Sequence, residues 1–123
     1  VLYLLTTHPP IIDNNDTKNN ICFASRDRLG VKPFYYLNSK QTFAFSSEQK
    51  AFVKAGLIKA KISEKSLHNY LINNQLENEP ENFFEGVYEL FPGHNLVYQL
   101  ASHQLSVETY FSTNELLSNK NYH

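Results

Sequence analysis

The chain has 123 residues, a hydrophobic share of 41% and a formal net charge of −1. That length bounds it to one domain or part of one, and the charge gives no bulk electrostatic case for nucleic acid or an anionic membrane as partner. No apolar run approaches the roughly 20 residues of a membrane span, and the single cysteine rules out an internal disulfide framework and fits a reducing cytoplasm.

In chain order, Val1 to Thr6 is an apolar run of strand length without the basic flank of a signal peptide. His8 to Asn20, rich in Pro, Asn, Asp and Thr, reads as a loop joining two strands. Ile21 to Ser25 is a compact apolar strand, expected to be buried on both faces. Arg26 to Pro33 is a turn: Gly30 adopts positive φ at no steric cost, and Pro33 presets its own φ while pushing Lys32 towards extended geometry. Phe34 to Leu37 and Thr42 to Phe45 form a hairpin across Asn38-Ser39-Lys40-Gln41.

A helix comes next. Ser46 stands three residues before Gln49, a capping-box spacing, and Glu48 sits at the positive helix start. Ala51, Phe52 and Ala55 supply its apolar face, and Gly56 its C-terminal cap. A second helix is expected from Glu64 to about Asn73, capped by Ser63, with Leu67, Tyr70 and Leu71 on one face. Asn73 to Asn82 is polar and reads as an exposed loop. Phe83 to Leu90 and Asn95 to Leu100 read as strands flanking the turn Phe91-Pro92-Gly93-His94, and Ser106 to Phe111 as one more strand. The tail from Ser112 to His123 is polar, with one weak helical turn near Glu115 to Leu117. Strands joined by hairpins, with two helices between them, give an α+β chain with mostly antiparallel sheets. No methionine occurs, so the expectation is a piece of a longer reading frame with Val1 an internal residue.

Two blocks stand out: Arg26-Asp27-Arg28-Leu29-Gly30-Val31-Lys32-Pro33-Phe34-Tyr35-Tyr36 and Phe43-Ala44-Phe45-Ser46-Ser47-Glu48-Gln49-Lys50-Ala51-Phe52. With Ile62-Ser63 to Leu67, and Phe84 to His94 carrying Gly86, Leu90, Pro92, Gly93 and His94, they form an ordered series. The series resembles the second half of the glutamine amidotransferase domain of glutamine-hydrolysing asparagine synthetases. Departures are modest: Ser46 stands where Ala is usual, Phe91 where a first Pro is common, and the His8 to Asn20 loop is long. The resemblance implies a partial αββα sandwich of the N-terminal-nucleophile hydrolase type, with residues 1–111 the later part of that domain and 112–123 a linker or the start of the next. On it, Arg26, Asp27, Gly30, Pro33, Ser47, Glu48, Gly86, Pro92 and Gly93 are structural motif positions.

The resemblance also implies a chemistry. Family members split glutamine with an N-terminal cysteine whose thiol attacks the amide carbon and whose own α-amine moves the proton. An Asn-Gly pair and backbone donors hold the oxyanion. A downstream synthetase domain then uses ATP and Mg to activate aspartate, and ammonia reaches it through an internal tunnel. Position 1 here is Val1; the nucleophile, the oxyanion pair and the substrate-binding Arg and Asp belong to upstream segments. The expectation is therefore an inert piece of a cytoplasmic parent, with no catalytic, substrate-binding, metal or cofactor residue of its own. Its partners would be the missing N-terminal segment and the synthetase domain, and the parent is a candidate homodimer. Alternatives are a related amidotransferase or lactam-forming synthetase, or a non-catalytic binding module. Removing the upstream strands should leave sheet edges and apolar faces uncovered, so the isolated chain should aggregate or bind ANS.

Individual residues weigh mostly towards structure. Cys22, between Ile21 and Phe23 with no adjacent His, reads as a core residue rather than a nucleophile. Asp27 and Glu48 as an acid–base pair yield to a simpler reading, in which Asp27 accepts turn N–H groups or pairs with Arg26 or Arg28, and Glu48 starts a helix. The cluster Arg26, Arg28 and Lys32 as a phosphate site lacks a Gly-rich cradle. His8, His68, His94, His103 and His123 show no metal-ligand spacing. The resemblance gives Val31 one functional role, a dry wall of the ammonia route between domains; plain core packing is the alternative.

Overall fold

A computed structural model describes residues 2–6, 20–40, 42–73 and 83–112, with the backbone alone for 2–6. The loop expected over 8–20, that over 73–82 and the tail from 112 fall almost wholly outside the described residues. The elements are β1 (Leu2–Thr6), β2 (Ile21–Ser25), β3 (Tyr35–Asn38), β4 (Thr42–Ser46), α1 (Lys50–Lys54), α2 (Glu64–Asn73), β5 (Val87–Glu89), β6 (His94–Gln99) and β7 (Gln104–Thr109). They form two antiparallel sheets, β1-β4-β3-β5 and β2-β6-β7. The chain is thus α+β, as expected of part of an αββα sandwich. No helix among the described residues is long and apolar enough to cross a membrane.

The alternation of aromatic and aliphatic residues dictates the layering. On β3, β4 and β5, Tyr36, Phe43, Phe45 and Tyr88 share one face, while Leu37, Ala44 and Val87 share the other. The first face meets Leu96 and Tyr98 of the second sheet, and the buried cluster Tyr36, Phe43, Leu90, Leu96 and Tyr98 fills the space between them. Phe43 and Tyr98 stack across that gap, with ring centroids 4.2 Å apart and planes 10° from parallel. The second face is covered by α1, whose Phe52 is fully buried against Leu37, Ala44 and Val87. One layer of helix, two of sheet, and a core in each interface result from that pattern.

Helix α1 has only 5 residues, and its two ends differ. Its C-terminus is a Schellman motif: Gly56, at φ +71°, donates to Val53 O at 3.0 Å, and Leu57 donates to Phe52 O at 3.0 Å. Its N-terminus lacks the expected capping box. β4 runs on through Ser46, and the Ser46 hydroxyl accepts the Glu48 N–H at 3.1 Å instead. Gln49 becomes the N-cap without a side-chain bond, and its Oε1 is buried with no partner among the described residues. In α2, Ser63 caps as expected, its Oγ accepting the Ser66 N–H at 3.4 Å. Leu67, Tyr70 and Leu71, expected as its packing face, are exposed.

Two further expectations need correction. β2 is not buried on both faces: Cys22 and Ala24 pack on the inter-sheet core, whereas Ile21 and Phe23 point outward, Phe23 being 61% exposed. β5 and β6 flank the turn Phe91-Pro92-Gly93-His94 as expected, and they belong to different sheets. Gly93, at φ +71°, turns the chain from one sheet to the other. β5 is also shorter than the apolar run from Phe83. Gly86, at φ +83°, breaks it, and Phe84 is left in an isolated bridge with Ile62.

Candidate functional site

The motif residues converge where β2, β5 and β7 end, in a knot between the two sheets. Arg26 leaves β2 and turns its guanidinium inward. Nη1 donates to Glu89 Oε1 at 2.8 Å and to the Leu90 carbonyl, and Nη2 donates to Gly30 O at 3.3 Å. The ion pair is secluded, with the Arg26 side chain 8% exposed and Glu89 21%. It joins the end of one sheet to the end of the other.

Around that pair the two turns interlock. Asp27 O accepts Gly30 N–H at 3.1 Å and Gly93 N–H at 3.2 Å. Gly93 O accepts Tyr110 N–H at 2.9 Å and Phe111 N–H at 3.1 Å, while the Tyr110 hydroxyl donates to Arg26 O at 2.7 Å. Two glycines are required by space as well as by conformation. Gly30 sits at φ +61°, and a Cβ there would lie 2.5 Å from Pro92 Cγ; a Cβ on Gly93 would lie 2.5 Å from Phe111 O. His94 closes the far side. Its Nδ1 lies 2.9 Å from Pro92 O, which can only accept, so that nitrogen carries the proton, and Nε2 meets the Thr109 hydroxyl at 2.8 Å.

Above the knot the Leu29–Val31 tip projects into solvent on a stiff base. Asp27 Oδ2 accepts the N–H groups of both Leu29 and Val31, each at 3.2 Å, which is local Asx-type bonding. Asp27 pairs with neither arginine. Arg26 is engaged with Glu89, and the Arg28 guanidinium lies 4.8 Å from the centroid of the Phe111 ring. The cations Arg26, Arg28 and Lys32 therefore do not gather around one anion. Leu29 is 86% exposed and Val31 74%, so core packing does not describe Val31 in this chain.

The remaining motif positions lie apart. Ser47 and Glu48 are exposed at the start of α1, where Glu48 O accepts the Ala51 N–H and its carboxylate meets Lys50 Nζ at 3.5 Å. They line a shallow open groove of about 460 Å³ with Tyr35, Gln49, Lys50, Phe83 and Phe84. Gly86 lies before β5 and Pro33 is exposed between turn and β3. Asp27 and Glu48 are thus on separate elements with separate partners. Cys22 is half-buried on the inner face of β2, and burial pushes its thiol above the ordinary value. A raised thiol is mostly protonated near neutral pH and a poor nucleophile. Sequence reasoning misses Glu89, Tyr110 and Phe111. An acidic residue ending an apolar strand is the one signal that points to Glu89.

Two facing antiparallel sheets with a helix on one outer face, bound at one end by an Arg-Asp-x-x-Gly turn locked to a Pro-Gly-His turn, make an α+β scaffold compatible with part of an αββα sandwich. The chain belongs to the glutamine amidotransferase domain family, whose model matches residues 12–111. It is similar to asparagine synthetase [glutamine-hydrolyzing] 3 of Bacillus subtilis, 37% identical over 83 residues covering 68% of this chain and 14% of that protein. It is also similar to a putative asparagine synthetase [glutamine-hydrolyzing] 2 of Methanocaldococcus jannaschii, 33% identical over 92 residues, 73% of this chain and 18% of that protein. A second Bacillus subtilis protein, asparagine synthetase [glutamine-hydrolyzing] 2, is 27% identical over 111 residues, 87% of this chain and 15% of that protein. The chain thus spans less than a fifth of the length of these relatives.

Proposed function

We propose that the chain is the later part of the glutamine-hydrolysing domain of an asparagine synthetase-type protein, supplying scaffold and a domain-facing surface rather than reactive groups. The observation that carries this reading is the Leu29–Val31 tip: two apolar side chains held outward on a turn that Asp27 and Gly30 make rigid. An exposed apolar pair on a preorganised base suits contact with a second body. The relatives are several times longer than the chain, which offers that body within the same polypeptide.

On this reading glutamine is cleaved by residues outside these 123, and the isolated chain is inert. The longer protein works in the cytoplasm, as a candidate homodimer. Ammonia passes Val31 to a synthetase domain that holds ATP and Mg and amidates aspartate. A dry wall at Val31 keeps ammonia unprotonated and away from bulk water. The test replaces Val31 with Lys in the longer protein and measures glutamate and asparagine formation together. The expected result is continued glutamine cleavage with a falling ratio of asparagine to glutamate. An unchanged ratio refutes the role of Val31, and ammonia release by the isolated 123-residue chain refutes its inertness.

A further inference from the structure

Charge is unevenly distributed over the Leu29–Val31 tip. Arg26, at its base, is neutralised by Glu89. The Asp27 carboxylate is engaged by the loop itself, its Oδ2 accepting the N–H groups of Leu29 and Val31. The charge that the turn presents outward is therefore that of Arg28 and Lys32, both exposed, on a chain whose formal net charge is −1. These two cations bracket the apolar pair, one directly before Leu29 and one directly after Val31. Arg28 is also held in place. Its guanidinium lies 4.8 Å from the centroid of the Phe111 ring, and the Phe111 N–H donates to Gly93 O at 3.1 Å. An aromatic ring orients a guanidinium without supplying the oxygen acceptors that its N–H groups match. A rigid apolar centre with a preset cation at its rim has the plan of a docking interface, in which the rim selects the partner.

We infer, resting on the proposed contact of the tip with a second body, that this body presents an apolar socket rimmed by carboxylates that take Arg28 and Lys32. The body is the synthetase-type domain of the same longer polypeptide. Leu29 and Val31 lose their water at the centre of the socket, and each cation meets a counter-charge where solvent is scarce. Arg28 takes its carboxylate through paired N–H groups and fixes the orientation of docking. Lys32 acts as a point charge and tolerates a looser fit. An anionic lipid surface also suits mixed apolar and basic side chains. Lipid-binding clusters, however, commonly gather roughly 4–8 Lys or Arg residues, and this turn directs two outward. The relatives are several times longer than the chain, which places a protein partner within reach.

The test uses the whole longer protein. Carbodiimide joins an amine to a touching carboxylate with loss of water, so it reports the rim without reference to activity. The expected result is coupling of Lys32, and of position 28 in Arg28→Lys, to Asp or Glu residues outside these 123. A photoreactive side chain in place of Leu29 should mark the same region. Arg28→Glu/Lys32→Glu should lower the ratio of asparagine to glutamate at least about threefold. About 0.5 M salt should lower that ratio in the unaltered protein and not in Arg28→Gln/Lys32→Gln. Neither side chain belongs to the Arg26–Glu89 pair or the Asp27 bonds, and thermal melts report whether the variants fold; coupling at the native Lys32 needs no variant. A photoreactive mark on a second body without carbodiimide coupling, or a ratio unchanged by the double charge reversal, overturns the carboxylate rim and leaves the contact of the tip standing. No mark outside these 123 residues overturns both. Binding to phosphatidylserine vesicles that the double charge reversal abolishes overturns the socket in favour of a membrane.

Discussion

Removing Glu89 should destabilise this chain more than removing any other carboxylate among the described residues. The Arg26 guanidinium is nearly enclosed, and its counter-charge is supplied by Glu89 at 2.8 Å. Breaking a buried pair from one side typically costs about 3–5 kcal/mol, because the other charge is stranded. Two features lower that figure here. Arg26 keeps the carbonyls of Leu90 and Gly30 as acceptors, and the partly exposed Glu89 already gains less than a fully desolvated partner would. We therefore expect about 2–3 kcal/mol for Glu89→Leu, a large fraction of the roughly 5 kcal/mol available to a small domain. With a urea m-value of about 1–2 kcal/mol/M, the midpoint should fall by ~1–2 M, read by far-UV circular dichroism. Arg26→Met should cost a similar amount. The double variant Arg26→Met/Glu89→Leu should recover most of the loss, since two apolar side chains would then face each other. A cost below about 0.5 kcal/mol for Glu89→Leu, of the size typical of an exposed ion pair, or a double variant as unstable as the sum of the singles, would refute the view that this pair holds the sheets together.

Two glycines with similar backbone angles should separate conformation from packing. Gly56→Ala meets nothing within 4 Å at φ +71°, so it should lose only about 1 kcal/mol of backbone preference in denaturant melts. Gly30→Ala at φ +61° adds a Cβ at 2.5 Å from Pro92 Cγ, and should lose about 2–4 kcal/mol; equal losses would contradict the interlock. At alkaline pH, burial raises Tyr36 and Tyr98 from 10.0. The folded state therefore holds their protons longer than the unfolded chain, and their contribution to stability is complete below pH 10 and lost as pH rises beyond it. Absorbance titration at 295 nm should show some tyrosines ionising late, with the lag abolished in denaturant. Simultaneous ionisation of every tyrosine would oppose this.

Much of the fold is legible locally. The hairpin β3–β4, the turn at Arg26 to Pro33, the Ser63 cap and the stop at Gly56 each depend on a few neighbouring residues. Ser46 misleads because a serine that ends a strand and one that caps a helix stand at the same distance from Gln49; the continuing pairing of Ser46 with Leu2 and Tyr35 decides between them. β2 misleads because a short apolar run does not reveal whether one face or two will be covered. The knot is only half legible. Gly30, Pro92 and Gly93 stand out in the sequence, but a glycine's tolerance of positive φ says nothing of the proline ring 2.5 Å from its missing Cβ. The Arg26–Glu89 partnership spans 63 positions, and sequence spacing carries no information over that range. The tip shows the opposite case: Asp27, Leu29 and Val31 lie within five residues, so their bonding is legible while their exposure is not.

Gly93 anchors the last described stretch of backbone through two amides, and Tyr110 adds a hydroxyl clamp on Arg26. Mechanical load on the chain beyond Phe111 therefore cannot peel β7 from β6 one rung at a time. It must first shear several bonds at once, and it delivers the force to the crossing between the sheets. A tug from the C-terminal side of Phe111 would reach the Asp27–Gly93 bond before it disturbed the rest of the sandwich, making this corner a stiff coupling rather than a fraying end.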